Sequence, residues 1–234
     1  MRYTVISDIH ANYPALRAVL NDAPDSDATV CLGDLIGLGG FPAAVVETVR
    51  EETAWCLQGN HDLSVIEWGE GHVNSEELSR YELEHTLDAL AHEQQVWVND
   101  RPTYLERTDL GVLAAHAYPS PERSSGLEHG EDGVPPGNFV TVAASLPEWI
   151  DVVLVGHTHD QHAVDSSRFD GDHDVTVVNP GSVGQPLDSG RAEYAVVDTD
   201  TRDVTLRTAE YETEPVKAQL EQYDVPTHYW DWDK

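Results

Sequence analysis

Three apolar runs in the first 60 residues each end in the same kind of chemistry. Arg2 to Ser7 runs into Asp8-Ile9-His10, Ala28 to Leu32 into Gly33-Asp34, and Thr53 to Leu57 into Gly59-Asn60-His61-Asp62. Two amphipathic stretches lie between them. In the first, Asn12 or Tyr13 can cap a helix that has Pro14 at its start, and Leu16, Val19 and Leu20 make one apolar face up to Ala23. The second runs from Pro42 to about Glu52, after a glycine-rich loop from Gly37 to Gly40. Strands alternating with helices imply right-handed parallel crossovers. The three strand ends then point the same way, and Asp8, Asp34 and Asn60 converge on the sheet edge where open α/β sheets bind ligands. Gly59 is expected to let the chain turn sharply at its strand end.

The rhythm changes after Asp62. Asn74 with Glu77 reads as a capping box for a helix from Ser75 to about Gln95, so residues 63–100 read as a helical insertion or long crossover. Thr103 to Arg107 and Leu110 to Ala115 read as a hairpin ending at His116. Tyr118 to Gly137 is loop-like, Phe139 to Leu146 helical, and Ile150 to Val155 a strand ending in Gly156-His157-Thr158-His159. The pattern then turns to β, at about Gln161 to Val164, Asp174 to Val178, Glu193 to Asp198 and Val204 to Arg207. A Gly/Pro-punctuated loop spans Asn179 to Pro186. A helix at about Pro215 to Tyr223 and a tail with Tyr229, Trp230 and Trp232 finish the chain. No internal repeat or interdomain linker is evident, so residues 1–234 read as one domain.

Composition limits the partners. There are 43 acidic residues against 13 basic, a net charge of −30, and the acids are spread along the chain. Only Lys217 and Lys234 are lysines; abundant acids with Arg in place of Lys resemble proteins of salt-loving microbes. Such a field repels nucleic-acid phosphates, so stable duplex binding is not expected. No run reaches transmembrane length. Met1-Arg2-Tyr3 leads straight into a strand, which reads as a cytoplasmic chain with no membrane partner. Association into a homo-oligomer is compatible with all of this. Cys31 and Cys56, each inside an apolar run, read as buried thiols.

The five strand-end motifs together hold carboxylates (Asp8, Asp34), an amide oxygen (Asn60) and imidazoles (His10, His61, His116, His157, His159). Histidines spaced i, i+2 fall on one side of an extended segment, so His157 and His159 can flank one site. Mixed oxygen and nitrogen donors without thiolate suit Mn²⁺, Fe or Zn²⁺, and the set is too large for one tetrahedral ion. It suits two ions sharing a carboxylate.

In its blocks and their order, the chain resembles the calcineurin-like metallophosphoesterase family from about Arg2 to Asp198. The segment Asn179-Pro180-Gly181-Ser182-Val183-Gly184-Gln185-Pro186 further resembles a small bacterial and archaeal subgroup of cytoplasmic phosphoesterases. The resemblance implies a four-layer αββα sandwich with two mixed sheets. It implies two divalent metal ions, manganese first, with Fe, Zn, Co or Ni as alternatives. Asp8, His10 and His159 would hold one ion, Asn60, His116 and His157 the other, and Asp34 would bridge them. His61 would protonate the leaving oxygen, with Asp62 orienting it. Asn179, Ser182 and Gln185 would lie on the substrate side; Arg191 is added there as a group able to contact phosphate. The implied activity is hydrolysis of phosphomonoesters or phosphodiesters, small or nucleotide-derived, by a hydroxide shared between the ions. Dinucleoside polyphosphate hydrolysis, protein serine/threonine dephosphorylation and a non-enzymatic metal-binding scaffold are the alternatives. Two positions depart from the family pattern: glycine commonly follows the first-block and fourth-block histidines, where this chain has Ala11 and Ala117. The change is expected to narrow the approach to the metals rather than to strain the backbone.

Overall fold

Strand alternation builds the interior. In Arg2–Ile6 (β1), Tyr3 and Val5 join a core shared with the second sheet, while Ile6 joins a core under helices. The computed structural model describes residues 1–71, 80–117, 146–165, 174–187 and 189–222. In the first sheet β1 pairs in parallel with Ala28–Cys31 (β2), and β2 with Thr53–Cys56 (β3). The helices Tyr13–Asp22 (α1) and Pro42–Glu52 (α2) make the crossovers. Asn12 caps α1 by accepting the Ala15 N–H at 3.2 Å. Leu16 and Val19 of α1 are fully buried, each worth about 1.5–3 kcal/mol.

Next comes Asn60–Gly69 (α3), so Gly59-Asn60-His61-Asp62 is not a free turn but the cap and first turn of a helix. Helices Arg80–Ala89 (α4) and His92–Asn99 (α5) follow. The helix expected from Ser75 to Gln95 is therefore broken at Leu90-Ala91. Gln94 explains the restart: its Oε1 accepts the Ala91 N–H at 3.1 Å. Gln95 closes the other end, its Nε2 donating to the Leu87 and Leu90 carbonyls at 3.2 and 3.1 Å. Val65, Ile66, Leu83, Leu90 and Val98 share the core of α2, so the described part of the insertion extends the outer helical layer.

Tyr104–Arg107 (β4) and Val112–Ala115 (β5) form the expected hairpin. They open a second sheet with Val152–Leu154 (β6), His162–Asp165 (β7) and Thr176–Asn179 (β8), in the order β4-β5-β6-β8-β7. Ala192–Asp198 (β9) and Val204–Ala209 (β10) return antiparallel to complete the first sheet, β10-β9-β1-β2-β3. Among the described residues, both sheets are mixed and five-stranded. Val112, Ala114, Val152, Leu154 and Val178 meet Tyr3, Val5, Val30 and Leu32 between them. Glu214–Gln222 (α6) buries Val216 and Leu220 in the helical core. The Asn74 capping box, residues 139–145 of the helix expected over 139–146 and the aromatic tail lie outside the described residues. Among those described, no helix is long and apolar enough to cross a membrane.

Candidate metal centre

The C-terminal ends of parallel strands from both sheets meet at one place. β1 brings Asp8 and His10, β2 brings Asp34, and β3 brings Asn60 and His61 on the first turn of α3. The second sheet supplies His116 after β5, and His157 and His159 after β6. Their polar atoms form three overlapping groups, each within 4.8 Å: Asp8 with His10 and His159, His10 with Asp34 and His61, and Asp34 with His116 and His157. Asn60 completes the last group, its Oδ1 lying 3.0 Å from His116 Nε2 and 2.9 Å from His157 Nδ1. Asp34 Oδ2 stands between the two sides, 3.3 Å from His116 Nε2 and 3.9 Å from His10 Nε2.

This donor set fits cations. His10 Nε2 and His159 Nε2 face each other 3.0 Å apart. Asp8 Oδ1 is buried, makes no hydrogen bond, and has His159 Nε2 at 3.2 Å and His10 Nε2 at 4.0 Å. A buried carboxylate oxygen ringed by imidazole nitrogens is the environment a divalent ion satisfies. Backbone carbonyls aim two of the rings. His116 Nδ1 donates to Leu32 O at 2.9 Å, and His159 Nδ1 to Gln185 O at 2.8 Å. A carbonyl can only accept, so each Nδ1 carries the proton and Nε2 turns to the site. These carbonyls are absent from the sequence reading, because a main-chain oxygen leaves no residue-type signal.

The electrostatics show how much positive charge the carboxylates attract. Burial opposes charge on His116, yet the neighbouring Asp34 carboxylate outweighs it and lifts the pKa to about 10. Burial likewise pushes Asp8 up, but His159 beside it prevails and lowers it to about 2.

Close approach, rather than a positive φ, explains two glycines here. Gly59 has φ −99°, but a Cβ on it would stand 2.0 Å from Asp34 Oδ1. A Cβ on Gly156 would stand 2.0 Å from Ser7 Oγ and 2.8 Å from Asp8 Oδ2. The ligand candidates themselves carry the unusual backbone. Asp8, His10, Asp34, His157 and His159 have φ of 54°, 48°, 52°, 68° and 56°. Left-handed conformations cost L-residues roughly 1–2 kcal/mol each, and they persist at functional sites when the surroundings hold them.

Ala11 shares this conformation at φ 52°, against the expectation that its side chain would only narrow the approach; Ala117 has no positive φ. Ala11 is held by its N–H to Leu35 O at 2.8 Å and by Phe41 N–H to its carbonyl at 3.0 Å. Ala11→Gly should therefore stabilise the protein, by about 0.5–1 kcal/mol once the extra freedom of glycine in the unfolded chain is subtracted. Urea unfolding of the two proteins measures it, as a shift in midpoint at unchanged slope.

Other expected site residues take different positions. Asp62 is fully buried and its oxygens grip main chain: Oδ1 accepts from Leu35 N and Ile36 N at 2.9 and 3.1 Å, and Oδ2 from Gly59 N at 3.0 Å. It thus braces the backbone at the start of α3, from which His61 projects. Burial, followed by the charge of Asp34, raises its carboxyl to about 7, against the pull of its backbone donors. His61 donates its backbone N–H to Asp34 Oδ1 at 2.8 Å, and its ring packs edge-on to His10 at 4.7 Å. Asn179 and Ser182, expected on the substrate side, are 1% and 0% exposed and spend their side chains inside the fold. Ser182 Oγ donates to Asp8 O and accepts the Gln185 N–H, both at 2.7 Å. The half-buried Gln185 contributes its carbonyl to His159. Arg191 pairs with Glu210 at 2.9 Å, beside a groove of about 820 Å³ along α1 that includes none of the ligand candidates.

Comparison with known proteins agrees with this architecture. An uncharacterised protein of Methanocaldococcus jannaschii is 26% identical over 237 residues, covering 95% of this chain and 93% of the relative. The crystal structure of a metallophosphoesterase from Sphaerobacter thermophilus superposes with a TM-score of 0.79 at 27% identity, covering 98% of this chain and 96% of that one. A hypothetical protein of Pyrococcus horikoshii has the same fold, with a TM-score of 0.74 at 20% identity over 100% and 99% of the two chains. Residues 1–202, which hold all five strand-end motifs, match the calcineurin-like phosphoesterase superfamily domain. By its motifs, its two-sheet fold and this match, the chain belongs to the calcineurin-like phosphoesterase superfamily.

Proposed function

We propose that the protein is a metal-dependent phosphoesterase that hydrolyses small phosphorylated or nucleotide-derived mono- or diesters with two divalent ions. The observation that carries this reading is the position of Asp34, whose one carboxylate faces His10 on one side and His116 on the other. Asp8, His10 and His159 would hold one ion, and Asn60, His116 and His157 the other, with Asp34 common to both. The all-oxygen-and-nitrogen donor set favours Mn²⁺, with Fe, Zn, Co or Ni able to substitute. When bound, such a pair supplies positive charge for the phosphoryl group and acidifies water to a pKa of about 7. The ester P–O bond breaks as water oxygen bonds to phosphorus, and the leaving oxygen needs a proton. His61, on the α3 turn beside His10 and Asp34, is placed to give it, an effect typically worth about 10²–10⁴-fold. No side chain need bond covalently to the substrate.

The test is metal content and turnover on one preparation kept in high salt. About two ions per chain, and hydrolysis of chromogenic phosphomono- or diesters that chelation abolishes and Mn²⁺ restores, is the expected result. Folded protein that takes up no Mn²⁺ overturns the reading. Two ions with no turnover on a broad ester and nucleotide panel favours the scaffold alternative.

A further inference from the structure

The second sheet has an awkward connection. β6 and β7 are consecutive in the chain, but β8 lies between them. The segment from Gly156 to Gln161 must cross the end of β8, and it carries His157 and His159. Asn179 is the last residue of β8 and the register partner of His162, the first residue of β7. It therefore sits under the crossing.

Its side chain fastens that crossing. Asn179 Nδ2 donates to Gly156 O at 3.0 Å and to Thr158 Oγ1 at 2.9 Å. Its Oδ1 accepts the Gly181 N–H at 2.9 Å, which anchors the amide from the other side. The two acceptors flank His157, and Thr158 separates His157 from His159. Both histidines are in the left-handed region, at φ 68° and 56°, from which an unrestrained turn would relax. The turn also bonds back to the first sheet, His157 N–H donating to Asp8 Oδ2 at 3.0 Å.

We propose that Asn179 is a positioning residue of the metal centre, holding the Gly156–His159 turn so that His157 and His159 reach different ions. The proposal rests on the two-ion reading above. It has a particular consequence: His157 belongs with Asn60 and His116, and His159 with Asp8 and His10, so loosening one turn weakens both sites together. Asn179 touches neither ion nor substrate, and its loss is felt through the geometry of the two rings.

The experiment is Mn²⁺ titration of metal-free protein, read by electron paramagnetic resonance, with melting of the metal-free form as control. The parent should bind two ions and show the signal of an exchange-coupled pair. Asn179→Asp, which keeps the size but removes the donor, and Asn179→Ala should fold and bind both ions roughly 10–100-fold more weakly, as loss of ligand-orienting groups does. The pair signal should return at correspondingly higher Mn²⁺. Thr158→Val, which removes one of the two held acceptors and leaves β8 intact, should show a smaller loss in the same direction. Variants that melt earlier but bind Mn²⁺ like the parent once folded would overturn the proposal and leave Asn179 a structural residue of β8. Should both Asn179 variants fail to fold, Thr158→Val decides, with unchanged affinity counting against. A parent that never binds a second ion overturns the two-ion reading itself, and this proposal with it.

Discussion

Asp34→Asn is expected to leave a folded protein that no longer retains two metal ions. Asp34 is 1% exposed, so its charge exists only because the surroundings support it. Burial alone would raise its pKa, but His116 and then His61 outweigh burial and hold the carboxyl well below the usual range. Asparagine keeps the shape and an oxygen for the His61 N–H, which Asp34 Oδ1 now accepts at 2.8 Å. It removes the negative charge that faces both groups of imidazoles. Metal content should drop to one ion or none, and turnover should fall on the order of 10³-fold or more. Metal analysis beside a turnover assay checks this. Two retained ions and turnover within about tenfold of the parent would show that Asp34 is not the shared ligand.

His61→Ala should give the opposite separation. The backbone N–H to Asp34 survives the substitution, so α3 should stay anchored and the metal content should equal that of the parent. The lost imidazole should cost about 10²–10⁴-fold in turnover. The loss should depend on the leaving group, because a nitrophenolate departs without help and an alkoxide does not. A large deficit on alkyl esters that shrinks on nitrophenyl esters identifies a proton donor. An equal deficit on both substrates, or loss of metal, would place His61 among the groups that hold the centre instead.

These expectations draw on features that differ in how openly the chain displays them. The strand ends were readable because short apolar runs stop at Gly, Asp, Asn and His, and because alternation with helices makes β1, β2 and β3 parallel. The start of α3 was not readable. Asn60, His61 and Asp62 are modest helix formers after a glycine, and what makes them helical is the grip of Asp62 on Gly59, Leu35 and Ile36. The break between α4 and α5 has no Gly or Pro; two glutamine side chains make it. Asn179 and Ser182 belong to a Gly/Pro-punctuated segment whose residue types do not show that their side chains turn inward. Asn179 is tied to the turn after β6 and Ser182 to the carbonyl of Asp8 after β1, and both are buried there. Ala11 carries no mark of its left-handed backbone, which its hydrogen bonds to Leu35 and Phe41 impose.

The ligand candidates are divided between the two sheets: Asp8, His10, Asp34 and Asn60 from the first, His116, His157 and His159 from the second. A pair of metal ions seated there would act as a clasp across the seam, joining the ends of β1, β2 and β3 to those of β5 and β6. Only the assembled sandwich offers that set of donors, so each bound ion would favour the folded chain by mass action, about 2.7 kcal/mol at a hundred times its dissociation constant. Depletion of metal would then loosen the seam as well as silence the site, making this edge of the sandwich the part of the fold most sensitive to the metal supply around it.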